Sequence, residues 1–281
     1  MFKIKKYLSD IVVAIILIAG VGLLAYPTIA DYVNELHSSK AIGSYVEKTK
    51  DLSKEEKENL LEEAREYNKS LVDKINRYYL NEEEKKRYNH ILNITKTGIM
   101  AYIEIPKLNV YMPVYHGTDE GVLQIAAGHL PGSSFPVGGE STHSLISGHS
   151  GLPSAKLFTD IDKLQEGDLF FVHVFDEVLA YRVNQIKVVL PDDVETLEIE
   201  KGKDYVTLIT CTPYGVNSHR LLVRGERTAY KEPESKIEDR IEKNNRKYTM
   251  LSAGVILALI STGFLISVFL IKRRRRKLNE K

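Results

Sequence analysis

The segment TLITCTPYGVNSHRLLVRG, residues 207–225, reads as a strand, a short turn and a second strand. Aliphatic and β-branched residues fill both arms, and Pro213-Tyr214-Gly215 supplies the turn. Sequential strands joined by a short connection are usually neighbours in a sheet, so the segment is expected to form two neighbouring strands, a hairpin. The hairpin contains the only cysteine of the 281-residue chain, Cys211, and an arginine at the start of its second arm, Arg220.

The same texture extends upstream as far as Gly98, with short β-branched and aromatic runs separated by Gly, Pro and Asp. The predicted strands are 99–105, 110–115, 142–147, 168–175, 178–190, 204–210 and 221–225, and helical turns are expected around 119–127 and 155–164. Several short strands with few helices indicate a mainly β domain, a closed or nearly closed β-barrel, over residues 98–228.

Residues 31–97 have a different composition, rich in Glu, Lys, Asn and Tyr, without proline between Pro27 and Pro106. Ser53 and Glu56 fit a capping box, and apolar residues then recur at helical spacing. A second short helix is expected to begin near Asn81. This helical extension can be interpreted as helices lying on the barrel or as a moving cover over a site.

Two uncharged apolar stretches, 11–30 and 249–271, are each long enough to cross a bilayer. Lysines precede the first and KRRRRK (272–277) follows the second, so both termini are expected in the cytoplasm and residues 31–248 outside. The chain would thus be held in lipid by two anchors, with a polar linker at 229–248 and a basic tail at 272–281. The first stretch also fits a cleaved signal peptide, because Thr28-Ile29-Ala30 weakly matches a cleavage site.

The charge distribution argues against a nucleic-acid partner. Residues 1–10 carry a net charge of +2 and residues 272–281 carry +6, whereas the whole chain carries only +1, which leaves −7 for residues 11–271. A nucleic-acid-binding domain would concentrate basic residues on its folded part.

Sequence motifs also exclude several kinds of chemistry. A His-Glu-x-x-His pattern is missing, and one cysteine cannot build a thiolate cluster, so we expect no metal site. Neither a phosphate-binding loop nor a dinucleotide fingerprint occurs, so no cofactor is expected. Ser150 is a poor candidate for a nucleophile, because Leu152 stands where the Gly-x-Ser-x-Gly elbow needs its last glycine.

Cys211 is therefore the candidate reagent, with burial as a packing residue as the alternative. It ends a predicted strand before a turn, and Arg220 on the neighbouring strand offers a cation that favours a thiolate. A nucleophilic thiol also needs a base. The candidates are His116, His129, His143, His149, His173 and His219. His149 lies in a glycine-flanked loop after a strand and is favoured, whereas His143 and His173 fall inside strands and are expected to be packed or solvated.

At these residues the chain resembles a known family. TLITC is similar to the Thr-Leu-x-Thr-Cys motif of sortases, the membrane-anchored cysteine transpeptidases of Gram-positive bacteria. TCTPYGVNSHRLLVRG (210–225), GHSGLPSAKLF (148–158) and the second apolar span resemble the class C, pilus-assembling subgroup. The resemblance covers about residues 98–228 and implies a sortase-like barrel of about eight strands.

The resemblance implies a catalytic role for three residues. Cys211 would be the nucleophile, His149 the acid and base, and Arg220 the stabilising cation, while Thr210 would contact the substrate. The implied reaction cuts a Leu-Pro-x-Thr-Gly-like sorting signal of a pilin after Thr and joins it to a pilin lysine. Attachment of single proteins to a cell-wall precursor is the alternative.

One feature of class C relatives is missing. Many carry an Asp-Pro-aromatic motif in the N-terminal extension that covers the cysteine, and this chain has no proline from residue 28 to 105. We therefore expect a more open site. If the extension nevertheless covered the site, deletion of 45–92 would raise turnover.

Overall fold

The computed structural model describes residues 2–230. Leu23–Tyr230 form one compact unit, and the preceding residues belong to a second unit whose described part is helical. The second apolar span (249–271), the basic tail (272–281) and most of the linker (229–248) lie outside the described residues.

Three helices precede the barrel: α1 (Phe2–Asp51), α2 (Lys54–Leu71) and α3 (Glu82–His90). Helix α1 contains Pro27 and continues to Asp51, past the expected end of the anchor at residue 30, and Ser53 then caps the next helix. Within the described residues, Ile15–Asp51 is long and apolar enough to cross a membrane by length and composition, with a mean hydropathy of 1.7 in its best window. A signal sequence near an N-terminus meets the same criteria, so both interpretations of this segment remain.

The predicted helix starts are confirmed. The Ser53 side chain accepts from Glu56 N, and the Glu56 carboxylate accepts from Ser53 N, which is the complete capping box. Asn81 and Glu84 form the same reciprocal pair at the start of α3. Each pair satisfies backbone N–H groups that have no partner inside the first turn of a helix.

The predicted barrel is confirmed as a closed sheet in the order β1-β2-β3-β4-β7-β8-β6-β5. Its strands are β1 (Ile99–Ile105), β2 (Val110–His116), β3 (Ala127–His129), β4 (Thr142–Ser147), β5 (Leu169–Val174), β6 (Glu177–Val189), β7 (Asp204–Thr212) and β8 (His219–Arg227). The β2–β3 and β4–β7 pairs are parallel, and the other pairs are antiparallel.

One strand was not predicted, whereas the two expected helical turns are present over shorter ranges. Strand β3 was missed, because its sequence Ala-Gly-His contains no β-branched residue; a fourth helix, α4 (Glu120–Leu123), ends before it. The helical turn expected around 155–164 is the 3₁₀ turn Ile161–Lys163, and further 3₁₀ turns occur at Pro106–Leu108 and Glu195–Leu197.

Side chains alternate between the two faces of the barrel wall. On β7, Val206 and Leu208 belong to the main core inside the barrel, whereas Ile209 lies on the opposite face. A second group of buried residues, Leu145, Leu197 and Leu222, forms an outer apolar cluster over β4, β7 and β8. Partly buried residues of the helical extension and of the barrel pack against this cluster: Tyr78, Leu130, Val189 and Ile209.

The helical extension shares the core of the barrel. Its apolar stripe contributes buried residues to the main cluster: Tyr45, Leu61, Ala64, Tyr67, Leu71, Tyr88, Ile91 and Leu92. Tyr45 Oη donates to Met100 O and accepts from Phe175 N, both at 3.0 Å. Deletion of 45–92 would therefore expose the core, and it cannot serve as a clean test for a cover.

Replacing Asn68 by alanine tests how firmly the extension is held. The Asn68 side chain donates to Phe135 O at 3.0 Å and accepts from Phe135 N at 2.7 Å, and all these groups are buried. Their loss leaves a buried N–H and C=O unpaired, so we expect a loss of about 2–4 kcal/mol in the free energy of unfolding. Urea denaturation of Asn68→Ala beside the exposed-site control Glu140→Gln would measure it, and an unchanged midpoint would contradict it.

Candidate active site

Cys211 and Arg220 lie directly opposite each other on the antiparallel strands β7 and β8. Opposed residues in such a pair project from the same face of the sheet. Ile209 and Leu222, which also form a pair, occupy this face and belong to the outer apolar cluster. The thiol and the guanidinium thus lie on the outer face, both partly exposed, where this cluster ends.

The loop containing His149 is bound to the same end of β7. The last parallel pair between β4 and β7 is Ser147 with Ile209, and Gly148 N then donates to Ile209 O at 3.0 Å. His149 follows Ser147 by two positions, and Cys211 follows Ile209 by two positions, so both lie just beyond the last β4–β7 pair. The fold therefore brings the three residues named from the sequence to one end of three adjacent strands.

Thr210 connects β7 to the His149 loop through a hydrogen bond. Its hydroxyl donates to Gly148 O at 2.7 Å, and only 4% of the residue is exposed. The alternation along β7 places its side chain on the opposite face from that of Cys211. The contact holds the His149 loop against β7, and the expected contact of Thr210 with substrate stays a prediction.

Two glycines allow the loops of the site to approach closely. A Cβ at Gly148 would lie 2.6 Å from the ring of Phe158, whose backbone N–H donates to His149 O at 3.1 Å. A Cβ at Gly151, where φ is +81°, would lie 2.9 Å from the ring of Tyr214 in the β7–β8 turn. A side chain at Gly148 would disturb the packing of Phe158 within the His149 loop, and one at Gly151 would push this loop away from the β7–β8 turn.

The polar surroundings of the three residues differ. Arg220 Nη1 donates to the carbonyls of Asn217 and His219 at 3.2 and 3.1 Å, and within residues 2–230 it forms no ion pair with a carboxylate. The His149 side chain is 26% exposed, yet its Nε2 is shielded and has no hydrogen-bond partner in that range. Glu120 Oε2 lies 3.9 Å from this nitrogen. The Arg220 guanidinium, in contrast, donates to neutral backbone carbonyls and retains further N–H donors for a ligand.

Comparisons with known proteins match this arrangement. The sortase-domain family model covers residues 103–228. The structure of sortase C1 from Streptococcus agalactiae is 49% identical, with a TM-score of 0.67, over 68% of this chain and all of that one. The chain belongs to the sortase family.

Two further sortases are similar over shorter or more divergent stretches. Streptococcus pneumoniae sortase C, whose structure is described as giving insight into pilin substrate specificity, is 43% identical over 69% of this chain and 99% of that one, with a TM-score of 0.61. Sortase A of Staphylococcus aureus is 30% identical over 53% of this chain and 75% of that protein. The chain spans only 62–63% of the length of the first curated relatives it matches.

These findings confirm the resemblance to class C sortases and the eight-stranded sortase barrel. They also place the chain in a family of cysteine transpeptidases. The roles of the individual site residues stay predictions that rest on the geometry above.

The alternative histidines have other positions in this sortase. His143 is buried, with Nδ1 2.9 Å from Glu198 O and Nε2 2.7 Å from Thr207 Oγ1, and burial lowers its pKa to about 4. His129 is completely buried, which lowers its pKa to about 3. His173 is buried beside Glu104 at 3.3 Å. Of the two alternatives expected for the strand histidines, packed or solvated, the structure shows that His143 and His173 are packed.

Sequence reasoning missed two residues near the site, Glu120 and Arg77. Buried Arg77 lies in the α2–α3 linker, where its Nη2 donates to Leu197 O at 2.7 Å and its Nη1 lies 3.2 Å from Glu198 Oε2. Through Leu197 it fixes the β6–β7 segment beside the outer apolar cluster. No local pattern links residues so distant in sequence.

Proposed function

We propose that this sortase polymerises pilins. Cys211 would cleave a Leu-Pro-x-Thr-Gly-like sorting signal after threonine, and a lysine amine of another pilin would accept the acyl group. The observation that carries the acyl-transfer chemistry is the pairing of Cys211 with Arg220 at the strand end to which the His149 loop is bonded, and the similarity to class C sortases favours pilins as substrates. Nucleophile, acid–base group and cation then share one partly exposed edge, which is what acyl transfer requires.

The reaction divides into two acyl transfers. The Cys211 thiolate attacks the threonine carbonyl, and His149 as imidazolium protonates the departing glycine amine, which leaves a thioester. The lysine amine then attacks the thioester carbonyl, the thiolate leaves, and His149 takes the proton lost by the amine. Arg220 donates to the oxyanion or to the substrate chain in both steps. The scheme balances without ATP, a metal ion or an organic cofactor.

The protonation state of the pair limits the rate of such a site. Isolated histidine and cysteine side chains have reference pKa values near 6.5 and 8.5. At about pH 7.5, roughly a tenth of each would be in its active form, and about 1% of the molecules would carry both. Any neighbour that favours the imidazolium therefore has a direct effect on turnover.

The membrane arrangement is part of the proposal. The apolar part of α1 would anchor the chain, and the uncharged stretch 249–271 would form a second anchor. The basic residues beside both stretches favour cytoplasmic termini, with the barrel on the outer face of the cell membrane. Pilins delivered to that face would meet the site there.

We also propose that the site lacks an inhibitory plug. The Asp-Pro-aromatic motif is missing, and the α2–α3 linker places Tyr78 on the outer apolar cluster. Ile75 and Tyr79 of the same linker are 86% and 84% exposed. In this arrangement the linker borders the outer face while Cys211 keeps partial access to solvent.

The choice of acceptor tests the proposed function against cell-wall anchoring. Full-length protein in detergent would be supplied with a Leu-Pro-x-Thr-Gly peptide and, in equal amounts, a lysine-bearing pilin fragment and a peptidoglycan stem peptide. A product joined to the pilin lysine supports polymerisation. Products formed on the stem-peptide amine alone would contradict it and favour attachment of single proteins.

A further inference from the structure

His149 Nε2 is a shielded polar atom without a hydrogen-bond partner within residues 2–230, and one acidic group faces it. Glu120 Oε2 lies 3.9 Å away, which is too long for a hydrogen bond but within the range of an ion pair. The other Glu120 oxygen, Oε1, accepts from Gln124 Nε2, four residues along the chain. This second contact restrains the carboxylate with one oxygen towards the imidazole.

The fold gives Glu120 a defined position. It is the first residue of α4, the short helix between β2 and β3. A Cβ added to Gly128 of β3 would lie 3.2 Å from Leu123 Cδ2, so α4 packs closely on β3. Gly128 in turn pairs with Ser147 of β4, two residues before His149. Packing of α4 on β3, together with the pairing of β3 with β4, therefore places Glu120 beside the His149 loop.

The other charged or titratable groups near His149 lie on other elements or have partners of their own. Cys211 and Arg220 lie on β7 and β8. On the loop after His149, Lys156 Nζ pairs with Asp160 at 2.7 Å, and Asp160 also accepts from Lys163 Nζ. Asp119 precedes Glu120, but its side chain makes no capping hydrogen bond. Among the described ion pairs, Glu120 is the carboxylate that faces His149.

We propose that Glu120 is a positioning residue that orients the His149 ring and stabilises its imidazolium form. The inference rests on the proposed function, in which His149 must be protonated while Cys211 is a thiolate. A carboxylate near Nε2 makes protonation of the ring more favourable and increases the fraction of molecules with both active forms. Because Glu120 is largely exposed, the gain is that of a surface ion pair, at most about fivefold in this fraction.

The kinetic test compares Glu120→Gln with Glu120→Asp and with Glu140→Gln, which removes a charge at another exposed position. The full-length protein would be assayed from pH 5 to 9 with a Leu-Pro-x-Thr-Gly peptide and a lysine-bearing pilin fragment. For Glu120→Gln we expect the maximal kcat/KM to fall about three- to fivefold and the acid limb to move about half a unit lower. Glu120→Asp should restore part of both, and Glu140→Gln should resemble the wild type.

A spectroscopic measurement separates this role from a purely structural one. In a Cys211→Ala background, the titration of the His149 ring would be followed by NMR with and without Glu120→Gln. A midpoint that moves to lower pH supports the proposal, and an unchanged midpoint overturns it. A kinetic defect confined to the KM of the lysine acceptor would also overturn it, because Glu120 would then bind the incoming amine.

The proposed function and this inference fail separately. If Cys211→Ala retained transpeptidation, the proposed function would be wrong whatever Glu120 does. If Cys211→Ala were inactive while Glu120→Gln left both the rate and the ring titration unchanged, only the inference would be lost. Thermal unfolding of each variant would verify that an exposed substitution leaves the fold intact.

Discussion

Replacement of Cys211 by alanine is expected to lower kcat/KM for transpeptidation at least about 10⁴-fold. In the proposed function the thiolate forms the covalent intermediate, and no neighbouring group on the outer face offers an equivalent nucleophile within residues 2–230. Cys211→Ser is expected to be almost as inactive, because its hydroxyl is far less acidic than a thiol. Steady-state rates with a sorting peptide and a lysine acceptor would measure both losses.

The matched control for this change is Thr212→Ala, at the next position of β7. It is also partly exposed, but the pleat turns its side chain to the other face of the sheet. A loss in the Cys211 variants with little change in Thr212→Ala would assign the effect to the thiol. Equal losses in both would indicate that β7 itself had been disturbed.

Replacement of His149 by alanine is expected to reduce kcat/KM by about 10²- to 10⁴-fold. His149 would protonate the leaving amine and later accept a proton from the attacking lysine, and proton transfers of this kind account for effects of that size. Exogenous imidazole should restore part of the activity, because it can occupy the cavity left by the ring and transfer the same protons. The rates would be determined with and without added imidazole.

His219 supplies the control. It begins β8 opposite Thr212, and its Nδ1 lies 2.9 Å from Ser218 Oγ at the exposed turn. His219→Ala should keep most of the activity. If it lost more than His149→Ala, the acid–base role assigned to His149 would be wrong.

Local sequence patterns predicted much of the fold. The capping box at Ser53, the helix start near Asn81 and the hairpin around Cys211 depend on neighbouring residues, so they could be predicted without the structure. Strand β3 was not readable, because three residues lacking β-branched side chains form a strand only through pairing with β2 and β4. Here tertiary pairing outweighs intrinsic propensity.

The candidate site shows the same division between residues that local patterns predict and residues that only the fold brings together. Cys211 and Arg220 follow from a hairpin, and His149 follows from its place in a family motif rather than from spacing alone. Glu120 reaches His149 through α4, β3 and β4, and Arg77 reaches Glu198 across the outer face of the sheet. Such contacts join segments that are distant in the chain, so periodicity and motif spacing cannot predict them.

The most direct test of the account is intact-mass measurement of the full-length protein after incubation with a Leu-Pro-x-Thr-Gly peptide. We expect an adduct that corresponds to the peptide up to threonine, that hydroxylamine removes, and that Cys211→Ala cannot form. Addition of a lysine-bearing pilin fragment should discharge it into an isopeptide-linked product. An adduct that persists in Cys211→Ala, or one that yields only free acid while the lysine acceptor is present, would contradict a cysteine transpeptidase that joins pilins.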